Sequence, residues 1–278
     1  MARKSSVRER RENRAEVWVM RNVTAIAKRE ILSFFVSPVA YFVITGFVLL
    51  SGYFFFNLIG FFNHMIVRSQ AMPFLQQEPP SVNRWVIEAF YQTLIVVLVF
   101  LVPMLTMRTI AEEKRRGTFE LLVTSPISVG DIVLGKFIGI AFVLFVMNTL
   151  VFGFPLLLVV LADVAVEFAP IVTGYVGLLL CSLAFASLAM AVSCFTENQI
   201  VAAITGMVTL LLFYVIHSPA QTMEPGTVQS VLNYVSPVMQ LRDPVRGVLT
   251  VQGLVYFLSV IGVGLFLSQR SLEAYRWR

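Results

Sequence analysis

Six long apolar runs dominate this chain, and they leave it little choice but to cross a membrane as helices. They cover Pro38–Phe62, Val86–Met107, Val133–Ala162, Ile171–Cys194, Ile200–His217 and Val251–Ser268. A hydrocarbon core about 30 Å thick takes roughly 20 helical residues, and each run reaches or nearly reaches that length. Backbone in lipid must satisfy its own hydrogen bonds, which selects helices for such runs. The expected fold class is an all-α membrane protein with six transmembrane helices. Composition agrees: 58% of residues are apolar and 13% charged, against about 25% charged in soluble domains. Residues 38–278 read as one membrane domain, with no room for a soluble domain of ordinary size.

The net charge of +5 raises the question of nucleic acid, but the placement of the cations points to a lipid bilayer and to no nucleic acid. Nine Lys and Arg precede the first run. Arg108, Lys114, Arg115 and Arg116 lie between the second and third, Lys136 follows closely, and Arg270, Arg276 and Arg278 follow the sixth. The opposite side has Arg68, Arg84, Arg242 and Arg246. Basic residues near span ends stay cytoplasmic, so both termini and the loop 108–131 are expected inside. An even number of spans requires the termini to share a side. The basic start is unlike a secretory signal, because its first apolar run is too long and too far along the chain.

Residues 1–16 read as a basic cytoplasmic tail. Over 17–37 the pattern changes: Val19, Val23, Ile26, Ala27, Ile31, Phe34 and Phe35 recur at three- and four-residue steps, with Arg21, Lys28, Arg29 and Glu30 largely between them. That spacing predicts a helix lying in the membrane interface. It should end at Ser37-Pro38, since proline disfavours the helical state of its predecessor. Pro103 predicts a kink in the second span. Ser128 and Asp131 fit a capping box opening the third span. The fourth carries Ser182, Ala184, Ala186, Ser187, Ala189, Ala191 and Ser193, small residues that let helices approach closely in lipid. Its two cysteines, Cys181 and Cys194, are about 20 Å apart along a helix and cannot bridge.

Two pieces lie outside. Phe62–Trp85 is polar and holds Pro73, Pro79 and Pro80, which predicts a loop. The segment 218–250 is moderately apolar but broken by Pro219, Pro225, Pro237 and Pro244. It is expected to form two short helices dipping into the outer leaflet, where irregular backbone must be covered by protein or face water.

The richest inside segment runs from Arg108 to Ser128. Thr109 with Glu112 fits a capping box, and Gly117 suits a left-handed helix end. Thr118–Thr124 then reads as a second short amphipathic helix, stopped before Pro126. A compact elbow carrying charges of both signs makes a docking surface for a partner.

At these residues the chain resembles a family. The run A-E-E-K-R-R-G-T-F-E-L-L-V-T-S-P-I-S, between a second and a third span, is similar to the permease subunit of type-2 ABC exporters. The nearest resemblance is to the gliding-motility and nitrous-oxide-reductase-maturation types. Lys28–Val43 and Ser236–Thr250 resemble the same family. The arginine-rich start departs from its pattern. The resemblance implies a multi-pass plasma (inner) membrane protein in which two permease subunits, alike or different, face each other above separate cytoplasmic ATPases. It implies that Glu112, Glu113, Lys114, Arg115, Gly117, Thr118, Glu120 and Pro126 form the cytoplasmic coupling helix seated on the ATPase. It implies that 17–37, with Arg21, Lys28, Arg29 and Glu30, is an interfacial elbow, and that 218–250 is an external gate with Tyr234, Pro237, Arg242 and Arg246. No cofactor is expected on this chain, ATP and magnesium being held by the partner.

The residues themselves oppose the other functional classes. Gly130–Phe137 has the spacing of a phosphate loop, but Phe137 stands where Ser or Thr must hold magnesium. Gly135 and Gly139 read better as a close-packing G-x-x-x-G face. An intramembrane hydrolase needs a histidine beside its nucleophile, yet His64 and His217 lie near span ends. An ion-coupled carrier needs charge at mid-membrane, and the deep polar groups here are mild: Asn57, Gln92, Thr93, Asn148, Thr149 and Thr205. The chain is therefore expected not to be an enzyme and to draw its energy from a partner. The alternative is a membrane anchor for a cytoplasmic ATPase complex that transports nothing.

Overall fold

The structure, a computed structural model, describes residues 21–71, 81–115, 117, 127–161, 166–219, 223 and 226–276. Among these residues there are helices and turns and no strand. Residues 21–36 form α1. The helix breaks at Ser37, whose N–H still donates to the Phe34 carbonyl at 3.1 Å, and α2 (Pro38–Ala71) follows. A π-helical turn, Asn83–Glu88, leads into α3 (Ala89–Thr106). Then come α4 (Ala111–Arg115), α5 (Val129–Leu161), α6 (Phe168–Ser193) and α7 (Gln199–Val215). Two short helices, α8 (Thr227–Val235) and α9 (Pro237–Leu241), and a 3-10 turn at Pro244–Arg246 precede α10 (Val251–Arg276).

Five stretches are long and apolar enough to cross a membrane: Pro38–Ser69, Asn83–Arg115, Val129–Val160, Phe168–Ser193 and Val251–Tyr275. The remaining expected crossing, α7, is an apolar helix of 17 residues, about 25 Å long. Asn198 caps its start, accepting from Ile200 N–H at 2.9 Å. A turn closed by Ser218 N–H on the Val215 carbonyl follows its end.

Two boundaries correct the sequence reading. α2 does not stop at Phe62 but continues to Ala71, because no proline or glycine lies between Phe62 and Pro73. Half of the expected outside loop is therefore helix, and 72–80 lie outside the described residues. The last helix runs past Ser268 to Arg276. Gln269 and Arg270 both donate to Glu273, at 2.8 and 3.0 Å, and such pairs one turn apart support a polar helix.

α6 is the axis of the bundle and touches α3, α5, α7 and α10. Its small residues make this possible: Ser182, Ala184, Ala186, Ser187, Ala189, Ala191 and Ser193 are all buried. A Cβ added to Gly174 would lie 2.5 Å from the ring of Tyr91, whose hydroxyl donates to the Ile171 carbonyl at 2.7 Å. Gly264 of α10 meets Ser187 in the same way. Both cysteines are buried and unbridged.

Side-chain contacts sort the chain into two ends. One end gathers Ser37, Arg108, Glu113, Lys136, Cys194 and Tyr275. The other gathers Glu88, His217, Arg242 and Arg246. Among the described residues α7 runs from Asn198, beside the first end, to His217 at the second.

Candidate functional site

The first end is built around one buried cation. Lys136 lies on the second turn of α5 and is 1% exposed. Its Nζ is 2.9 Å from Oε1 of Glu113 on α4 and 3.5 Å from Oε2 of Glu30 on α1. It also donates to the Thr109 carbonyl at 2.7 Å. A lysine inside an apolar helix needs such partners, because an uncompensated buried charge is costly. Three segments distant in sequence therefore meet on one ammonium group.

Small residues bring α1 within reach. A Cβ added to Gly135 would lie 2.7 Å from Ile26 Cβ, and one on Gly139 would lie 2.7 Å from Glu30 Cβ. The G-x-x-x-G face read from the sequence is thus the seat of α1 on α5. α4 is tied elsewhere too. Lys114 donates to the Cys194 carbonyl at the corner between α6 and α7 and sits 4.5 Å above the Tyr275 ring of α10. Arg108 Nε donates to Glu112 at 3.3 Å, and its Nη1 donates to the Ser37 hydroxyl. A groove of about 460 Å³, lined by Arg29, Glu30, Ser37, Arg108, Glu112 and Glu113, lies between α1 and α4.

Burial pushes the Glu30 carboxyl above its usual value; Lys136 opposes this and Glu113 reinforces it. A carboxyl raised in the folded state contributes its full stability below its unfolded value and loses it as pH rises through the folded one. The stability of the wild-type chain relative to Glu30→Gln should therefore decline as pH rises from 4.5 through that folded value. Unfolding temperatures followed against pH check this, and a difference that stays flat would refute it.

The other sequence-predicted residues divide by exposure. Glu112, Glu113 and Lys114 turn toward the bundle and are partly buried, whereas Arg115 and Gly117 are exposed. Gly117 has φ +69° and its N–H reaches the Lys114 carbonyl at 3.1 Å, the left-handed helix end expected. Thr118, Glu120, Pro126 and the second short helix lie outside the described residues. The Thr109–Glu112 capping box does not form. Thr109 Oγ1 is buried without a partner among the described residues, and Glu112 goes instead to Arg108, a stronger charge-assisted contact. At α5 half of the expected box forms: Asp131 N–H donates to Ser128 Oγ at 3.1 Å. On α1, Arg21, Lys28 and Arg29 are exposed while Glu30 turns inward.

At the far end, Pro237 is buried at the start of α9. Arg246 pairs with Glu88 at 3.4 Å. Tyr234 meets Tyr256 edge to face, with centroids 6.0 Å apart. Arg242 is exposed. Gly177 lets Leu241 and Pro244 close onto α6, a Cβ there meeting both at 2.7 Å.

Sequence reasoning missed Lys136 as a hub. The signal was present: a lone lysine inside an apolar run, flanked by Gly135 and Gly139. Its spacing to Gly130 drew attention to phosphate loops instead.

Long apolar helices packed around a small-residue axis, with a charged clamp at one end, define a multi-pass helical membrane protein. The sequence model of the ABC-2 family transporter proteins matches residues 5–268, and the chain belongs to that family. No curated protein matches the chain.

Proposed function

We propose that this chain is the transmembrane permease subunit of an ATP-driven exporter, closest to the gliding-motility and nitrous-oxide-reductase-maturation types. Six helices cross the plasma (inner) membrane, with both termini and the Lys136 end in the cytoplasm. A separate ATPase subunit, which holds ATP and magnesium, docks on 108–128. A second permease subunit, the same or different, completes the pathway. The sorting of cations supports the orientation: Arg29, Arg108, Lys114, Lys136 and Arg270 belong to the cytoplasmic end.

The observation that carries this reading is the clamp itself. Motion delivered to α4 passes through Glu113 and Lys136 to α1 and α5, and through Lys114 to the α6–α7 corner and α10. One docking loop can thus move most of the bundle. Docking falls to the residues that face away, Arg115 and Gly117, together with Thr118, Glu120 and Pro126. Glu112, Glu113 and Lys114 hold the loop in place behind them. α8 and α9 form the external gate with Tyr234, Pro237, Arg242 and Arg246.

Charge reversal at the docking face tests this. Arg115→Glu and Glu120→Arg should each lower co-purification of the ATPase at least tenfold while membrane insertion is unchanged. A tenfold loss corresponds to about 1.4 kcal/mol of association, within reach of one interfacial charge. Undiminished co-purification in both variants would refute the docking assignment.

A further inference from the structure

α1 is not placed as its residue pattern suggests. The apolar stripe Val23, Ile26, Ala27, Ile31, Phe34 and Phe35 turns into the bundle: Ala27 and Phe34 are buried and the others half-buried. The contacts also fix the direction of the helix. Ile26 meets Gly135, Glu30 meets Gly139, and the rings of Phe35 and Phe142 stand edge to face at 6.3 Å. Each step along α1 is matched by a step the same way along α5, over about 14 Å of helix. α5 holds one of the stretches long and apolar enough to cross a membrane, so α1 runs beside a span and follows its axis.

Along such a helix a change of surface character marks depth. The outward face carries Ala25, Lys28 and Arg29, then Leu32 and Val36, which are 55% and 81% exposed. Past the break at Ser37, exposed apolar side chains continue on α2 through Val39, Tyr41 and Phe42, inside the stretch Pro38–Ser69. Exposed apolar surface therefore reaches back from a span to Leu32 and stops at Arg29. The charges there are one-sided. Glu30, the only acid of α1, turns inward to Lys136 at 3.5 Å. Lys28 pairs with no acid among the described residues. Arg29 is 3.9 Å from Glu113, whose Oε1 is already 2.9 Å from Lys136, and Glu112, on the same groove, is held by Arg108.

We infer that α1 stands upright at the membrane boundary, with Leu32 and Val36 among acyl chains and Lys28 and Arg29 on anionic phospholipid headgroups. Long cationic side chains one turn from apolar surface lay their stems along it and hold their charge at the headgroups. A helix flat in the interface would put Ala25, Leu32 and Val36 at one depth, which the parallel run beside α5 opposes. An ATPase seated on this face would have to cover apolar surface that runs on into a span, where a soluble protein does not reach. The inference rests on the export reading only to name the leaflet as the cytoplasmic one; the lipid contact does not need it.

The test uses the full chain in nanodiscs of phosphatidylcholine and phosphatidylglycerol. Ala25→Cys, Leu32→Cys and Val36→Cys each take a nitroxide at the new thiol, because Cys181 and Cys194 are buried. Accessibility to a charged nickel chelate, which hydrocarbon excludes, should fall from the first position to the last while accessibility to oxygen rises. A fluorophore on Ser33→Cys then reports the lipid beside it. Spin-labelled phosphatidylglycerol should quench it at about fivefold lower concentration than spin-labelled phosphatidylcholine, the factor that one cation at the surface contributes. Lys28→Gln with Arg29→Gln should abolish that preference, and Lys28→Arg with Arg29→Lys should keep it. Equal depth at the three positions, equal quenching by the two lipids, a preference that survives the glutamine pair, or displacement of the quencher by added ATPase would overturn the inference. Sidedness is read separately: labelling of Ala25→Cys by a membrane-impermeant maleimide on intact cells counts against the export reading alone.

Discussion

Lys136→Met should be the most damaging single change at the end of the bundle where α1, α4 and α5 meet. It leaves Glu30 and Glu113, with side chains 14% and 15% exposed, facing each other without their shared cation, while the exposed Arg29 stays 3.9 Å from Glu113. Breaking a buried pair by removing one partner costs about 3–5 kcal/mol. Glu30 already has a raised tendency to hold a proton, which relieves part of the repulsion and points to the lower end of that range. The unfolding temperature in lipid or detergent should fall by about 10 °C. Adding Glu30→Gln and Glu113→Gln to Lys136→Met should recover most of that loss, because the cost lies in the stranded charge. Transport should not recover, since the triple variant restores packing without the ion pairs that join α1, α4 and α5. An unchanged melting temperature in Lys136→Met, or transport restored in the triple variant, would show that Lys136 is not the joint.

Gly264→Ala should be nearly as costly, for a steric reason. A Cβ at Gly264 would lie 2.5 Å from Ser187 Oγ and 2.7 Å from the Ser187 carbonyl carbon. The hydroxyl could rotate away, but the backbone of α6 cannot move without shifting the axis of the bundle. Overpacking of this kind costs about 1–3 kcal/mol. Two residues earlier on the same helix, a Cβ at Gly262 meets nothing within 4 Å. Gly262→Ala should therefore stabilise by about 0.5–1 kcal/mol through helix propensity alone. The pair isolates contact from propensity, because the two substitutions are chemically identical. Melting temperatures that move together would mean that α10 does not approach α6 as closely as described.

Much of this was legible from residue patterns. The apolar runs located the long helices, since lipid leaves the backbone few other ways to satisfy its hydrogen bonds. The small residues of α6 announced a closely approached helix, and every one of them is buried. Ser37-Pro38 marked the break between α1 and α2. Gly117 marked a left-handed turn. Local rules worked there because each outcome depends on only a few neighbouring residues.

Pairing of charged groups was another matter. The resemblance implied a docking role for Glu113, and no pattern in the sequence showed that its carboxylate reaches Lys136, 23 positions away. Thr109 and Glu112 had the spacing of a capping box, and Arg108 drew the carboxylate away. The length of α2 was misjudged because polar residues after Phe62 resemble a loop even when nothing breaks the helix.

What the sequence determined by itself was where helices run and which end of each carries the cations, because burial in lipid and helix geometry act along the chain. Only the tertiary structure decided which side chains share a partner. Glu30, Glu113 and Lys136 converge because Gly135 and Gly139 admit α1 against α5, and that approach is a property of two surfaces in contact, which no single segment encodes.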